Sequence, residues 1–458
     1  MSKMKVKVVA IRSTSSESSP DHKIWVSAAL LRKWGVAPNH SVNMRFGAFR
    51  SYVKVVPVNR KRFVRISGEL AQGMGLSGSA PMRASFVSST QTISVGPVIG
   101  VIMSRASSKD PNRPFGDTTA FCKELADAAK KVGAFVYFFT PKDISPGRNS
   151  IPGWTYDKGW KHGVFPMPDV LHNRLTSRKY ERMESVRTLF QEAKTKHGTK
   201  VFNEKYLDKT EVFAALKQEP AVSRYLPESH AFTGFDMLKT MSGRHRIVFL
   251  KPVRGSLGKG IIRIARLTGG GFACHFSEDQ GTRRIGYATL PKVYAAVAPY
   301  VKRQKYQIQQ GLQLAAVGGR PIDFRALVQK GSTGEWGVTS IVGRIAGPNH
   351  FVSNLAKGGT IASMKDAIAR SNLPPGTRAK AMAALRKAAL AIAEAVDKTI
   401  DAHFGELGVD LAVDRSGRVW LLEVNSKPSK NDNTQLNEGK VRPSTKRLIQ
   451  YARYLAKL

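Results

Sequence analysis

The sequence predicts a mixed α/β protein that begins with a small β-rich part, and three observations carry that expectation. Residues 1 to about 95 supply short alternating segments, KVKVVAI, SVNMRFG, SYVKVVPV and RFVRIS, separated by polar turns, as half-buried strands do. From residue 96 the pattern becomes strand, helix, strand: PVIGVIMS, FCKELADAAKKVG and AFVYFFTP, an α/β unit. Towards the C-terminus two apolar runs, residues 409 to 425, flank Arg415-Ser416-Gly417-Arg418, a hairpin signal. The expected divisions are 1–95, a basic β-rich domain; 96–200, an α/β domain; 201–440, the largest domain; and 441–458, a basic C-terminal helix.

Composition narrows the chemistry. With 458 residues, 42% of them hydrophobic, the chain can fill two or three cores of ordinary domain size. Cys122 and Cys274 stand far apart, which excludes a disulfide framework or a Cys-rich metal site and suits a reducing compartment such as the cytoplasm. No apolar run reaches 18 residues, and the N-terminus MSKMKVKVVAIRS lacks the apolar centre of a signal peptide, so neither a leader nor a membrane span is expected. There are 73 Lys and Arg against 33 Asp and Glu, a formal net charge of +40. Binding one nucleotide does not require that excess, which either attracts a polyanionic partner or serves solubility. Residues 1 to 65 hold 14 basic side chains against Glu17 and Asp21, without an aromatic stacking pattern that would favour nucleic acid.

The hairpin carries the first chemical expectation. Centred between Ser416 and Gly417, it places Asp410 opposite Glu423, with Asn425 on the same face, and puts Val409, Leu411 and Val413 on the other face with Trp420, Leu422 and Val424. Facing carboxylates repel. A divalent cation removes that cost, and three oxygen-bearing side chains suit magnesium; scattered acids on a solvated hairpin are the alternative.

Upstream segments add groups for phosphate. In RIVFLKPVRGSLGKGIIRI a buried strand delivers Lys251 to a Gly-rich turn, Arg254 to Gly260, whose backbone can approach phosphate oxygens. The turn matches neither a Walker loop nor a dinucleotide fingerprint. Residues 306 to 330 read strand, turn, strand, with Asp323 and Arg325 on one face; a further strand ends near Arg344, and the loop Asn354 to Gly359 can cradle an anion. Residues 178 to 218 read as helical and Thr377 to Phe404 as one helix, whose stripe Met382, Leu385, Ala389, Ile392, Val396 and Ile400 is core. His172 is expected as a packed or hydrogen-bonded side chain, and the tail from 440 to 458, with six Lys or Arg and no acid, as an amphipathic helix whose basic face can be solvated.

Taken in order, KPVRGSLGKGI, QQGL, DFR, GRIA, NLAKGG, GVDLAVD and LLEVNSKP resemble the ATP-grasp superfamily over roughly residues 200 to 430. FPMPDVLHNR and PVIGVIMS resemble its YheC/YheD group, described as endospore-coat-associated. The resemblance implies an ATP-grasp fold with ATP and Mg2+ as cofactors. It matches Asp410, Glu423 and Asn425 to metal ligands, and Lys209 and Lys251 to phosphate-binding lysines. Gly255, Ser256 and Gly258 fall in the loop closing over the phosphates, Gln309, Gln310 and Leu312 in the adenine hinge, and Asp323 where an acid meets ribose. Arg325, Arg344 and Asn354 resemble substrate-side and phosphate-side residues of glutamate ligases, and Lys357 belongs to the anion-cradling loop. Gly408 stands where D-alanine:D-alanine ligases carry an arginine, and Pro428-Ser429 replaces their Pro-Gly, so a D-alanine dipeptide is not the expected product.

Two functions remain open on these residues. One is an ATP-dependent ligase that joins a carboxylate to an amine through an acylphosphate, on amino acids or an acidic peptide. The other is a nucleotide-binding structural protein, weakly catalytic or not catalytic, docked on the spore coat or another polyanionic surface.

Overall fold

The alternating N-terminal strands close on themselves. The computed structural model describes residues 4–10, 22–107, 110–253, 260–278, 281–348, 358–429 and 440–458. Around the barrel the strands run Met4–Ala10, Phe63–Ile66, Lys23–Ser27, Phe49–Val58, Ser41–Phe46, Thr92–Gly96 and Ser79–Val87, which pairs back to Met4–Ala10. Closure removes the exposed strand edges. Val42, Met44 and Phe46 point inward while Asn43 and Arg45 alternate outward, so the basic residues fall on the outer wall.

The next sheet has the order Trp160–Pro166, Ser150–Tyr156, Phe135–Phe139, Val98–Met103, Val170–Arg174, Lys200–Phe202. Val98–Met103 pairs in parallel with both neighbours and is buried along its whole length, as a strand covered on both faces must be. Val98 and Ile102 join the barrel's core, whereas Ile99, Val101 and Met103 face the helix Thr119–Val132 and the C-terminal helix Pro443–Ala456. The barrel therefore shares one apolar core with this sheet. Ala48 N donates to Met167 O at 2.7 Å, Arg45 pairs with buried Asp169, and a Cβ on Gly47, at φ +57°, would stand 2.5 Å from Met167 O.

Two antiparallel sheets follow. The third runs Ser229–Ala231, Tyr306–Gln310, Ile247–Pro252, Ile262–Arg266, Phe272–Glu278, Gly281–Tyr287, with one face packed on helices Phe235–Arg244 and Leu290–Arg303. The fourth runs Thr360–Ser363, Trp336–Ile345, Arg320–Lys330, Glu406–Val413, Val419–Asn425, over the long helix Pro375–Thr399. No helix among the described residues is long and apolar enough to cross a membrane.

Three local expectations are corrected. Residues 178 to 218 are not continuously helical: Gly198, at φ +66°, ends the helix Glu184–His197, and Lys200–Phe202 joins the second sheet before the helix Lys209–Lys217 begins. The long helix stops at Thr399, although Ile400 and Phe404 stay buried beyond it. The basic side of the C-terminal helix is partly a strap: Arg447 donates to the carbonyls of Gln329 and Gly337, and Arg442 pairs with Glu124 at 2.6 Å. His172 is buried as expected, stacked on Phe202 with ring centroids 4.4 Å apart.

Candidate active site

Asp410 and Glu423 do face each other, but two features that cancel put them there. The turn is one residue longer than expected: Asp414 N donates to Arg418 O, Asp414 Oδ1 accepts from Ser416 N and Arg418 N, and Gly417 takes φ +89°. This is a three-residue loop closed by a left-handed glycine. It pairs Val413 with Val419, Ala412 with Trp420 and Leu411 with Leu421; a bulge then absorbs Leu422 and restores Asp410 to Glu423, Val409 to Val424 and Gly408 to Asn425. Trp420 and Leu422 consequently leave the expected apolar face, which Val419, Leu421 and Val424 share with Val409, Leu411 and Val413. Trp420 instead donates Nε1–H to Asp414 at 2.8 Å beneath the Arg418 guanidinium.

Beside this hairpin lies the strand Arg320–Lys330, whose register sets Arg325 opposite Asp410 and Asp323 opposite Arg344. Arg325 grips both oxygens of Asp410; Arg344 reaches Asp410 Oδ2 at 3.1 Å and also donates to Asp323. Burial works against the Asp410 charge, yet the two guanidinium groups together outweigh it and hold the carboxyl below its ordinary range. The same carboxylates raise Arg344 and Arg325 despite their burial. Asp323, expected at ribose, pairs with Arg344 and lies on the strand of Arg325, as the two-residue spacing implies.

The other carboxylate faces the lysines. Glu423 is 31% exposed against 8% for Asp410, and its Oε2 lies 3.5 Å from Lys209 Nζ at the start of a helix capped by Asp208. Lys251, on the third sheet, feels both Lys209 and Glu423; burial chiefly, then Lys209, pulls its ammonium down to about 8. It donates to the amide oxygen of buried Gln309, whose nitrogen donates to Ser229 Oγ at 2.8 Å. Gln310 pairs with the Glu228 backbone, at 2.8 Å through its own N–H and 3.2 Å through Oε1. The segment carrying Leu312 then crosses between sheets: Gly311 N donates to Ile247 O, where a Cβ would meet Ile247, and Gln313 O accepts from Arg415 N in the hairpin turn.

Gln309, Lys251, Lys209, Glu423, Asp410, Arg325, Arg344 and Asp323 therefore form one continuous line from the third sheet to the fourth. Gly255, Ser256, Gly258, Asn354 and Lys357 lie outside the described residues. No group of three or more His, Cys, Asp or Glu fit to hold a metal occurs among the described residues, so a cation here would take two carboxylates and the Asn425 amide. That all-oxygen set has the donor chemistry magnesium takes, with Glu423 and Asn425 the more open members and both Asp410 oxygens shared with Arg325 and Arg344.

Sequence reasoning missed how the hairpin is anchored. Lys427, directly behind it, is buried and binds Glu181 at 2.9 Å and the carbonyls of Asn173 and Asn203. Burial pulls its ammonium down to about 7, against the attraction of Glu181. Ser426 is held by Lys205 O and Leu207 N, so residues 203 to 207 fix both the end of the hairpin and the approach to Lys209. The available signal is a lysine beside the Glu423/Asn425 pair; its partners lie on the short helix Arg178–Glu181 and at the ends of two strands of the second sheet, beyond the reach of local pattern.

A chain of four sheets in which opposed hairpin carboxylates meet one lysine from a separate antiparallel sheet and another from a helix start has the ATP-grasp architecture. The YheC/D-like ATP-grasp family model matches residues 198–455, more than half of the chain, and the chain belongs to that family. It is 28% identical over 376 residues to the endospore coat-associated protein YheD of Bacillus subtilis (strain 168), covering 82% of each, and 24% identical over 320 residues to YheC of the same organism, covering 68% of this chain and 85% of YheC. Among solved structures it is similar to D-alanyl-alanine synthetase A from Vibrio cholerae, with TM-score 0.46, 12% identity, and coverage of 79% of this chain and 99% of that one.

Proposed function

We propose that the chain is an ATP-dependent ligase joining a carboxylate to an amine, with Mg2+ and ATP held between the third and fourth sheets. The observation that carries this is the meeting of Lys209, from outside both sheets, and Lys251, from the third, with Glu423 on the hairpin opposite Asp410. Asp410, Glu423 and Asn425 are the residues to hold magnesium, which when bound supplies positive charge against the β and γ phosphates. Lys251 and Lys209 bind phosphate oxygens, Gln309, Gln310 and Leu312 line the adenine side, and Arg325 and Arg344 hold negative charge developing as a substrate carboxylate attacks the γ-phosphorus. The carboxylate becomes an acylphosphate, ADP leaves, and the amine displaces phosphate. Asp323 orients Arg344, while Asn354, Lys357 and the Gly255, Ser256, Gly258 loop are the further phosphate-side candidates. The spore-coat association in the relatives' names supports a spore location. The deciding experiment is ADP release with magnesium against a panel of amino acids and acidic peptides, with products identified by mass spectrometry. No ADP with any of them sinks the ligase reading.

Lys251→Ala is expected to weaken ATP by about tenfold to a hundredfold, the worth of a charge-assisted contact, and adenosine hardly at all. Equal weakening of both would place Lys251 elsewhere. Because the free ammonium titrates near 8, ATP affinity should decline as pH rises through about 8, while adenosine affinity stays level. The stability sign is opposite: a depressed lysine pKa disfavours the folded state below 8, so unliganded stability gains between about 8 and the ordinary 10.5. Calorimetric titration at pH 7 and 9.5 checks the first sign, and thermal unfolding the second.

A further inference from the structure

One row of basic side chains on the third sheet, two arginines and a histidine, has no part in the nucleotide chemistry above. The registers set Phe249 beside Arg263, Arg263 beside His275, and His275 beside Arg284, across four successive strands. The alternate residues Val248, Leu250, Ile262, Ile264, Cys274 and Phe276 pack on the helices, so the row shares the other face with Lys251, which is two residues along from Phe249. Arg263 is half-buried and donates to His275 Nδ1 at 3.2 Å. Burial first, then Arg284, lowers its pKa, and burial with Arg263 and Arg284 lowers that of His275. Among the described residues no carboxylate pairs with Arg263 or Arg284, whereas the half-buried Lys209, Arg325, Lys330 and Arg344 each have one. Arg283, on the helix side, shows the contrast: it pairs with Glu278 at 2.7 Å and lies over the Phe276 ring.

A half-buried guanidinium beside a second one, with no counter-charge, costs free energy that an anion recovers. The three side chains stand on strands about 4.8 Å apart, so the row spans about 10 Å, further than one carboxyl group reaches. Guanidinium forks bind carboxylates in pairs of hydrogen bonds. We propose that the Arg263–His275–Arg284 row binds an acidic peptide, the carboxylate-bearing substrate of the ligase, along the sheet face that carries Lys251. This rests on the ligase reading for the word substrate, but not for binding.

The test is the affinity of the full chain for fluorescein-labelled hexaglutamate at low salt, by anisotropy, beside the affinity for ATP. The expected result is binding that weakens at least tenfold in Arg263→Gln/Arg284→Gln and stays unchanged in Arg283→Gln, with ATP affinity within about twofold throughout. Arg284→Glu alone, at an exposed position, gives the same direction if the double variant unfolds. The proposal is overturned if wild type does not bind hexaglutamate, if Arg283→Gln weakens it equally, if ATP affinity falls in parallel, or if inorganic polyphosphate of matched charge competes better and loses affinity in the same variants. Failure of ATP to bind wild type would remove the ligase reading while leaving the peptide measurement intact.

Discussion

Asp410→Asn is expected to destabilise the fold by about 3 to 5 kcal/mol, the cost of stranding a buried charge whose partner is removed. Glu423→Gln should leave stability nearly unchanged while lowering magnesium-dependent ADP release by about a hundredfold or more, since even residues supporting a metal's ligands cost ten- to a hundredfold. The difference lies in what surrounds each carboxylate. Asp410 is buried and neutralises Arg325, with Arg344 shared between it and Asp323, so loss of its charge leaves Arg325 inside the protein uncompensated. Glu423 is partly exposed and meets Lys209 at 3.5 Å, a pair that solvent screens. Thermal unfolding and coupled ADP assays on the two variants check both halves. Undiminished stability of Asp410→Asn would mean the arginine network does not depend on Asp410, and undiminished ADP release by Glu423→Gln would remove it as a metal ligand.

The same network shows where the sequence was readable. Period-two alternation made four of the seven barrel strands legible but not Lys23–Ser27, Ser79–Val87 or Thr92–Gly96, and the motif order made the ATP-grasp sheets legible, because each signal is local. The Asp410/Glu423 pairing was legible as an outcome but not as a geometry: neither the third loop residue at the hairpin tip nor the bulge at Leu422 has a strong residue signature, and their offsets cancel. The pairing of Arg325 with Asp410 requires knowing which strands are neighbours, a property of topology and not of either segment. Barrel closure and the burial of Lys427 on Glu181 are long-range in the same sense.

Deleting residues 1 to 95 is expected to destroy the protein, not to leave an ATP-binding remainder. The outward charge of the N-terminal strands suggests a detachable basic module, but their inward side chains belong to a core that continues into Val98, Ile102, Tyr137, Phe139, Phe165, Met167 and Leu171 of the second sheet. Each such side chain left in water forfeits about 1.5 to 3 kcal/mol, so seven exceed the net stability of an ordinary domain. Asp169, whose carboxyl burial already pushes up, would also lose its ion-pair partner Arg45 and keep the Val98 N–H. Asn173 of the second sheet accepts from Lys427, and residues 203–207 continue directly from its last strand, so damage there reaches the Asp410/Glu423 hairpin and Lys209. The 96–458 fragment should therefore bind anilinonaphthalene sulfonate strongly, lose near-ultraviolet dichroism and fail to bind ATP. A soluble fragment with native dichroism and unchanged ATP affinity would overturn this. Whether the barrel attracts a polyanion is then better asked of the intact chain, with the exposed Lys33, Lys54 and Lys61 changed to Gln, which spares the core. If the barrel is the binding surface, polyanion affinity falls and its salt dependence flattens, by about 0.9 in log-log slope for each duplex-DNA phosphate that is no longer neutralised; an unchanged slope would place the binding surface on another part of the molecule.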